Sequence, residues 1–239
     1  MQREIITSKK NRVVINSDKE HIIKHFEGSQ NYADIIINQI NNERMYDQWF
    51  SQQNDLIILD IGANIGLFTL YAKDSAKAIY SIEPTPQHFS ILEELTADYS
   101  NVHPQRLALH NQDGEVDFYI CQENTTMNST TNKYGQGIRV PARRIGSILR
   151  DLNLDYVDFV KCDIEGSEMT ALTPDTVLEV AGKINAWFLE VHATETNLQQ
   201  PNWLENLQKN RNTLKMIFEQ AGYETSLLGH DSLCAFQKD

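Results

Sequence analysis

The sequence predicts an α/β fold, a doubly wound and mostly parallel sheet, and three stretches carry that expectation. Asp55 to Phe68 reads Asp-Leu-Ile-Ile-Leu-Asp-Ile-Gly-Ala-Asn-Ile-Gly-Leu-Phe. It holds an unbroken apolar run of strand length, a turn in which Asp60, Gly62, Asn64 and Gly66 alternate with apolar residues, and a helical pattern from Leu67. Ala78 to Glu83 is a strand ending in a carboxylate and followed by a helix start. Val157 to Cys162 is a strand running into Asp163-Ile164-Glu165-Gly166-Ser167-Glu168, after which Met169, Ala171 and Leu172 resume a helical pattern. Continuous apolar strands suit a parallel sheet buried on both faces. A strand, a glycine turn and a helix N-terminus form the ligand-holding corner of such sheets.

At 239 residues the chain is long enough for one domain with a full core, read as an N-terminal helical extension over 1–53 and a Rossmann-like core over 54–239. In the extension, Arg12 to Ile15 reads as a short strand, while Asp18 to Phe26 and Asp34 to Phe50 carry helical spacing. Such an extension would pack across the open end of the site, where Tyr32, Asn42 and Tyr46 could touch a ligand or simply fill core and surface places.

After the second strand, Thr85 suits a helix cap and Pro86 the first helical position, with Phe89, Ile91, Leu92 and Leu95 following. Val102 to Leu109 reads as a third strand whose tip would lie near an adenine ring, with His110 incidental. Asp113-Gly114 signals a turn into a strand over Glu115 to Cys121, paired antiparallel with Ile138 to Ala142. The Asn, Thr, Ser and Gly-rich segment Gln122 to Gln136 between them is a surface loop and a candidate lid or substrate loop. Arg143 to Leu152 is a short helix, and a strand beginning near Ile184 closes on Phe188-Leu189-Glu190-Val191-His192. Alternation puts Glu190 and His192 on one face of its tip. Asn202 to Ala221 is amphipathic through Trp203, Leu204, Leu207, Leu214, Ile217 and Phe218, Gly222 stops it, and Glu224 to Leu228 with Ser232 to Gln237 forms a terminal hairpin.

The turn after the first strand selects its ligand. A dinucleotide fingerprint counted from Gly62 needs glycines at positions 64 and 67, where this chain has Asn64 and Leu67. Asp60 puts a carboxylate where a pyrophosphate would be repelled and an ammonium or sulfonium welcomed. S-adenosylmethionine is such a ligand, and Asp-x-Gly-x-Asn-x-Gly resembles motif I of the class I methyltransferases. Glu83 follows Asp60 by 23 residues, close to the interval of about twenty at which an acidic residue meets ribose hydroxyls. A capping or surface role is the alternative for Glu83.

A strand ending Lys-x-Asp-x-Glu-Gly-x-Glu, with Asp-x-Gly-Ala-Asn-x-Gly and Glu-Pro-x-Pro upstream, resembles the FkbM family of S-adenosylmethionine-dependent O-methyltransferases over Ile57 to His192. The resemblance implies a class I methyltransferase sheet of seven strands with a terminal antiparallel strand. It places Asp60, Gly62, Asn64 and Gly66 in the methionine-side turn, Glu83 at the ribose, and Asp163 in the cleft near the transferring methyl. S-adenosylhomocysteine would be the product, and a hydroxyl on a sugar or natural-product small molecule the acceptor. Glu165 and Glu168 match the pattern too; Glu168 reads as structural, since a carboxylate in the first turn of a helix is stabilised by its dipole, and Glu165 is left open. Glu190 and His192 can converge with Asp163 into an acid/base cluster, with His192 or Asp163 as general base. One His with two carboxylates could also hold a metal, and a half-buried His192 without chemistry is a third reading; no metal ligand is assigned.

The remaining composition narrows partners and compartment. A net charge of −12 argues against a nucleic-acid partner. Cys121, Cys162 and Cys234 are an odd number without paired spacing, which fits reducing cytoplasm. Neither a signal-peptide core nor a run of membrane-span length is present, so a cytoplasmic chain with no membrane span is expected, and the acceptor patterns at Asn124 and Asn128 are chance matches. Asp163-Ile164-Glu165-Gly166 stands where amino-methylating enzymes of nucleic acids carry an Asn/Asp-Pro-Pro-aromatic tetrad. Metal-dependent O-methylation and a non-catalytic S-adenosylmethionine-binding regulatory module are the alternatives, and Asn64 and Leu67 disfavour a nicotinamide dehydrogenase.

Overall fold

Strands dense in isoleucine, valine and phenylalanine form a mostly parallel main sheet. The computed structural model describes residues 3–6, 12–15, 46–50, 54–121, 128–131, 135–193 and 202–238. At the N-terminus β1 (Arg3–Ile6) pairs antiparallel with β2 (Arg12–Ile15), so the strand expected at Arg12 is present with a partner the sequence did not announce. Of the two helices expected next, Asp18 to Phe26 lies outside the described residues and only the end of Asp34 to Phe50 lies within them, as α1 (Asp47–Phe50). Tyr32 and Asn42 lie outside them.

The core then runs β3 (Leu56–Ile61), α2 (Leu67–Ala72), β4 (Ala76–Ile82), α3 (Pro86–Thr96), β5 (Val102–Gln105), β6 (Ala108–Leu109), β7 (Gly114–Ile120) and β8 (Gln136–Arg143). It continues with α4 (Ile145–Asp151), β9 (Val157–Cys162), α5 (Glu168–Ala171), α6 (Pro174–Glu179), β10 (Ile184–Glu190), α7 (Trp203–Gln220), β11 (Tyr223–Leu228) and β12 (Ser232–Gln237). Seven strands form the main sheet in the order β11-β12-β10-β9-β3-β4-β5. β5, β4, β3, β9 and β10 are parallel, and β12 runs antiparallel to both β10 and β11. This is the doubly wound sheet with a terminal antiparallel strand that the sequence led us to expect. Its order reverses between β3 and β9, and ligands of such sheets sit at that switch point.

One strand differs from expectation. Val102 to Leu109 breaks at Arg106: β5 ends at Gln105, whose carbonyl takes the amides of Glu83 (3.1 Å) and Leu107 (3.2 Å). β6 peels away to pair with β8, in a second sheet of order β6-β8-β7. Pro104, which has no amide to donate, is tolerated because β5 is an edge strand.

Alternation divides the core between the two faces of the sheet. Leu59, Ile61, Val160, Trp187 and Leu189 pack with Ile148 of α4, Val177 of α6 and Leu214 and Phe218 of α7, while Ile58, Phe159 and Phe188 pack with Trp49, Phe50, Phe68 and Tyr71. Tyr46 closes that aromatic face, its ring 5.0 Å from that of Phe188. Leu204, expected on the apolar side of α7, is 43 % exposed. Among the described residues no helix is long and apolar enough to cross a membrane.

Candidate active site

The switch point is built by three loops that touch. Gly62 and Ala63 both donate to the Ile82 carbonyl at 2.9 Å, which folds the turn after β3 against the tip of β4. Gly62 has φ +79°, and a Cβ there would lie 1.7 Å from the Asp163 carbonyl oxygen, so only glycine lets this turn pass the one after β9. Asp163 in turn donates its amide to Ile61 at 3.0 Å. Asn64, at φ 52°, takes the left-handed conformation that asparagine tolerates, and its amide donates to Glu83 Oε2 at 2.9 Å. The other oxygen of Glu83 accepts from the Thr85 amide at 2.8 Å. With Gly66 donating to the Ala63 carbonyl at 2.8 Å, Gly62, Asn64, Gly66 and Glu83 form one unit. Thr85 precedes α3 as expected, but its hydroxyl accepts from Asn128 (3.2 Å) and caps nothing.

Beneath the turn lies a buried polar chain. Asp60 is wholly enclosed; its Oδ2 accepts from Thr69 (2.6 Å), whose hydroxyl also bonds Ser81 at 2.7 Å. Opposite Asp60 in the β3–β9 ladder stands Lys161. Its ammonium donates to the Gly62 carbonyl (3.1 Å) and lies 3.3 Å from Asp163 Oδ2 and 3.7 Å from Asp60 Oδ1. Burial opposes that charge, but Asp163 and Asp60 outweigh it and hold the Lys161 pKa above the ordinary range. Sequence reasoning passed over Lys161 as a site residue. The signal was a lysine beside Phe159, Val160 and Cys162 in a buried strand, a place such residues rarely occupy unless paired.

On the β10 side, Asp163, Glu165, Glu168, Glu190 and His192 converge. Nδ1 of His192 lies 3.0 Å from Glu168 Oε1, and its Nε2 lies 3.5 Å from Glu165 Oε2 and 3.8 Å from Asp163 Oδ1. Glu168 Oε1 also accepts from the amides of Ile164 (3.1 Å) and Gly166 (3.3 Å). That oxygen is therefore an acceptor, and the proton sits on Nδ1 of His192. Asn210 of α7 fixes the ring's backbone by donating to the His192 carbonyl at 2.9 Å. Glu168, read from sequence as structural, is the residue that orients His192.

The charges in this cluster push one another. Glu165 rises to about 8, through burial first and then its carboxylate neighbours, and Glu190 to about 7, through Asp163 first and then burial. For His192 burial favours the neutral ring, yet Glu168, Glu165 and Asp163 prevail and raise its pKa well above the ordinary value.

The described part of the polar loop is tied to its surroundings by hydrogen bonds. Asn128 accepts from the Cys121 amide (2.8 Å), Ser129 pairs with Tyr119, and Ser167, just before α5, bonds Ser129 (3.1 Å) and Thr130 (2.7 Å) through its hydroxyl. The described part of the loop therefore joins the start of α3 to the start of α5. His110 follows β6 and binds Arg143 through its amide (2.9 Å); burial lowers its pKa.

The arrangement suits a cationic ligand. Asn64 Oδ1 and Asp163 Oδ1 are buried acceptors without a hydrogen-bond partner among the described residues, and the carboxylates beside Asp163 are held above their usual pKa. A sulfonium with an ammonium group supplies what they lack.

The chain is similar in sequence to known methyltransferases. The Methyltransferase FkbM domain matches residues 60–225. Methyltransferase 1 of Beauveria bassiana (strain ARSEF 2860) is 27 % identical over 144 residues, covering 50 % of this chain and 58 % of its own length. Methyltransferase sdnD of Sordaria araneosa is 26 % identical over 187 residues, covering 63 % of this chain and 71 % of its own. Among solved structures, a SAM dependent methyltransferase from Aquifex aeolicus superposes with a TM-score of 0.45 at 13 % identity, over 82 % of this chain and 88 % of that one. With the family match spanning the glycine turn, Glu83 and the strand ending in Asp163, the chain belongs to the FkbM domain family of S-adenosylmethionine-dependent methyltransferases.

Proposed function

We propose that the chain methylates a hydroxyl of a sugar or other natural-product small molecule, with Asp163 and His192 supplying the general base. The observation that carries this reading is the close approach of Gly62 to the backbone carbonyl of Asp163, which sets the turn assigned to the methyl donor beside the residue whose carboxylate is assigned to the acceptor. Bound S-adenosylmethionine supplies a methyl on an already activated sulfur, so the protein's task is alignment and deprotonation.

Asp60, Gly62, Asn64 and Gly66 shape the methionine side, and Asp163 borders both donor and acceptor. Glu83 spends one lone pair of each oxygen on backbone amides and keeps others for ribose hydroxyls. With Nδ1 committed to Glu168, Nε2 of His192 is the atom available to an acceptor hydroxyl. The carboxylates around it raise its pKa and so favour the proton on that nitrogen in the ligand-free protein. A cation brought beside it by the donor lowers the pKa, so that Nε2 gives its proton to water before the acceptor is engaged and is then free to take the proton of the acceptor hydroxyl. Screening sugars, glycolipids and polyketide alcohols with labelled donor tests the reaction class. Full turnover by His192→Ala with unchanged pH dependence would remove His192 from it.

A second reading has its own support. Asp163, Glu165 and His192 each offer a ligand atom, all within 4.8 Å of one another. A carboxylate-rich set with one imidazole suits a hard or borderline divalent cation. Loss of transfer on chelation, restored by magnesium or manganese, would favour that route over the metal-free one.

A further inference from the structure

We propose that Lys161 is the positioning residue that couples donor placement to acceptor activation, an inference that rests on the methyl-transfer reading above. An ammonium has three hydrogens to give, and this one faces a carbonyl and two carboxylates drawn from both halves of the site. Gly62, whose carbonyl it binds at 3.1 Å, belongs to the donor turn. Asp163, at 3.3 Å, is the carboxylate of the acceptor side. Asp60, at 3.7 Å, is its neighbour across the ladder and is anchored in turn by Thr69 and Ser81.

An apolar side chain would fill this buried strand position at least as well, because burying a charge costs more than packing a hydrocarbon. What the lysine adds is geometric. A backbone carbonyl on one loop and a carboxylate on another are held by a single nitrogen, so neither moves without the other. With the cation gone, Asp60 and Asp163 would repel across the ladder and the Gly62 carbonyl would lose its donor.

The experiment compares wild type with Lys161→Met, Lys161→Arg and Thr69→Val. Thermal unfolding, the affinity for S-adenosylhomocysteine by calorimetry, and turnover on any alcohol found in the acceptor screen are measured for each. Thr69→Val disturbs the same Asp60 without reaching Gly62 or Asp163, so it reports the cost of loosening the buried chain alone. Lys161→Met is expected to weaken S-adenosylhomocysteine binding by about tenfold or more and to lower turnover further still. Lys161→Arg is expected to recover part of both, and Thr69→Val, which reaches the site only through Asp60, to lose clearly less of both than Lys161→Met even where its unfolding midpoint falls as far. Should Lys161→Met fail to fold, the neutral Lys161→Gln is judged by the same criteria. Wild-type affinity in the neutral variant, or equal losses in Thr69→Val, would overturn the assignment. A wild-type protein that binds no S-adenosylhomocysteine would instead remove the methyl-transfer reading beneath it.

Discussion

Nδ1 of His192 lies 3.0 Å from Oε1 of Glu168, and that oxygen also receives the amides of Ile164 and Gly166. A fully buried carboxylate thus organises both the turn after β9 and the tautomer of the imidazole. Glu168→Gln keeps a carbonyl oxygen for the amides but withdraws the charge. The imidazole is expected to titrate at lower pH than in wild type, followed by its ring-proton NMR signals, with turnover reduced about tenfold or more. An unchanged titration would mean that Glu168 does not support the ring.

Ligand-free stability should fall as pH rises. Glu165 and Glu190, with pKa values raised to about 8 and about 7, bind protons more tightly folded than unfolded. Groups shifted in this direction give stability that is complete below the ordinary carboxylate range and is lost as pH climbs through the folded values. Glu165→Gln, which mimics the protonated form, is expected to match wild type in unfolding midpoint near pH 4 and to exceed it by a few degrees near pH 8. A wild-type midpoint independent of pH over that range would contradict the charge balance described for the cluster.

Two glycines in the left-handed region should differ sharply in cost. At Gly222, which ends α7 at φ +94°, an added Cβ meets nothing within 4 Å, so Gly222→Ala should cost only the strain of the conformation, about 1 kcal/mol. At Gly62 the Cβ would strike the Asp163 carbonyl, and Gly62→Ala should cost about 3 kcal/mol or more. Urea unfolding of the pair checks this; equal costs would mean that the two turns do not press together.

Much of this was readable because burial writes itself into composition. Leu56 to Leu59 and Val157 to Val160 are legible as strands since both faces of a parallel sheet exclude water, and the tips that follow them are where ligands sit. The break between β5 and β6 was not legible, because Ala108 and Leu109 are as apolar as a continuing strand would be and only the pairing with β8 separates them. Lys161 and the His192–Glu168 pair escaped for a related reason. Their roles arise from neighbours far away in sequence, and a single lysine or a helix-start glutamate has ordinary local explanations. Glu165, left open from sequence, faces His192 Nε2 at 3.5 Å. Ser167 and Asn128 read as loop polarity until the hydrogen bonds of Asn128 to Thr85 and of Ser167 to Thr130 are seen.

The central claim is that the acceptor-rich switch point between β3, β4 and β9 holds a sulfonium nucleoside, with Glu83 among its ligands. Calorimetric titration of the purified chain with S-adenosylmethionine and with S-adenosylhomocysteine, repeated on Glu83→Ala, tests it most directly. Binding of both compounds by wild type, weakened about tenfold or more by the substitution, is the expected result. No heat with either compound, and a Glu83→Ala variant indistinguishable from wild type, would contradict it.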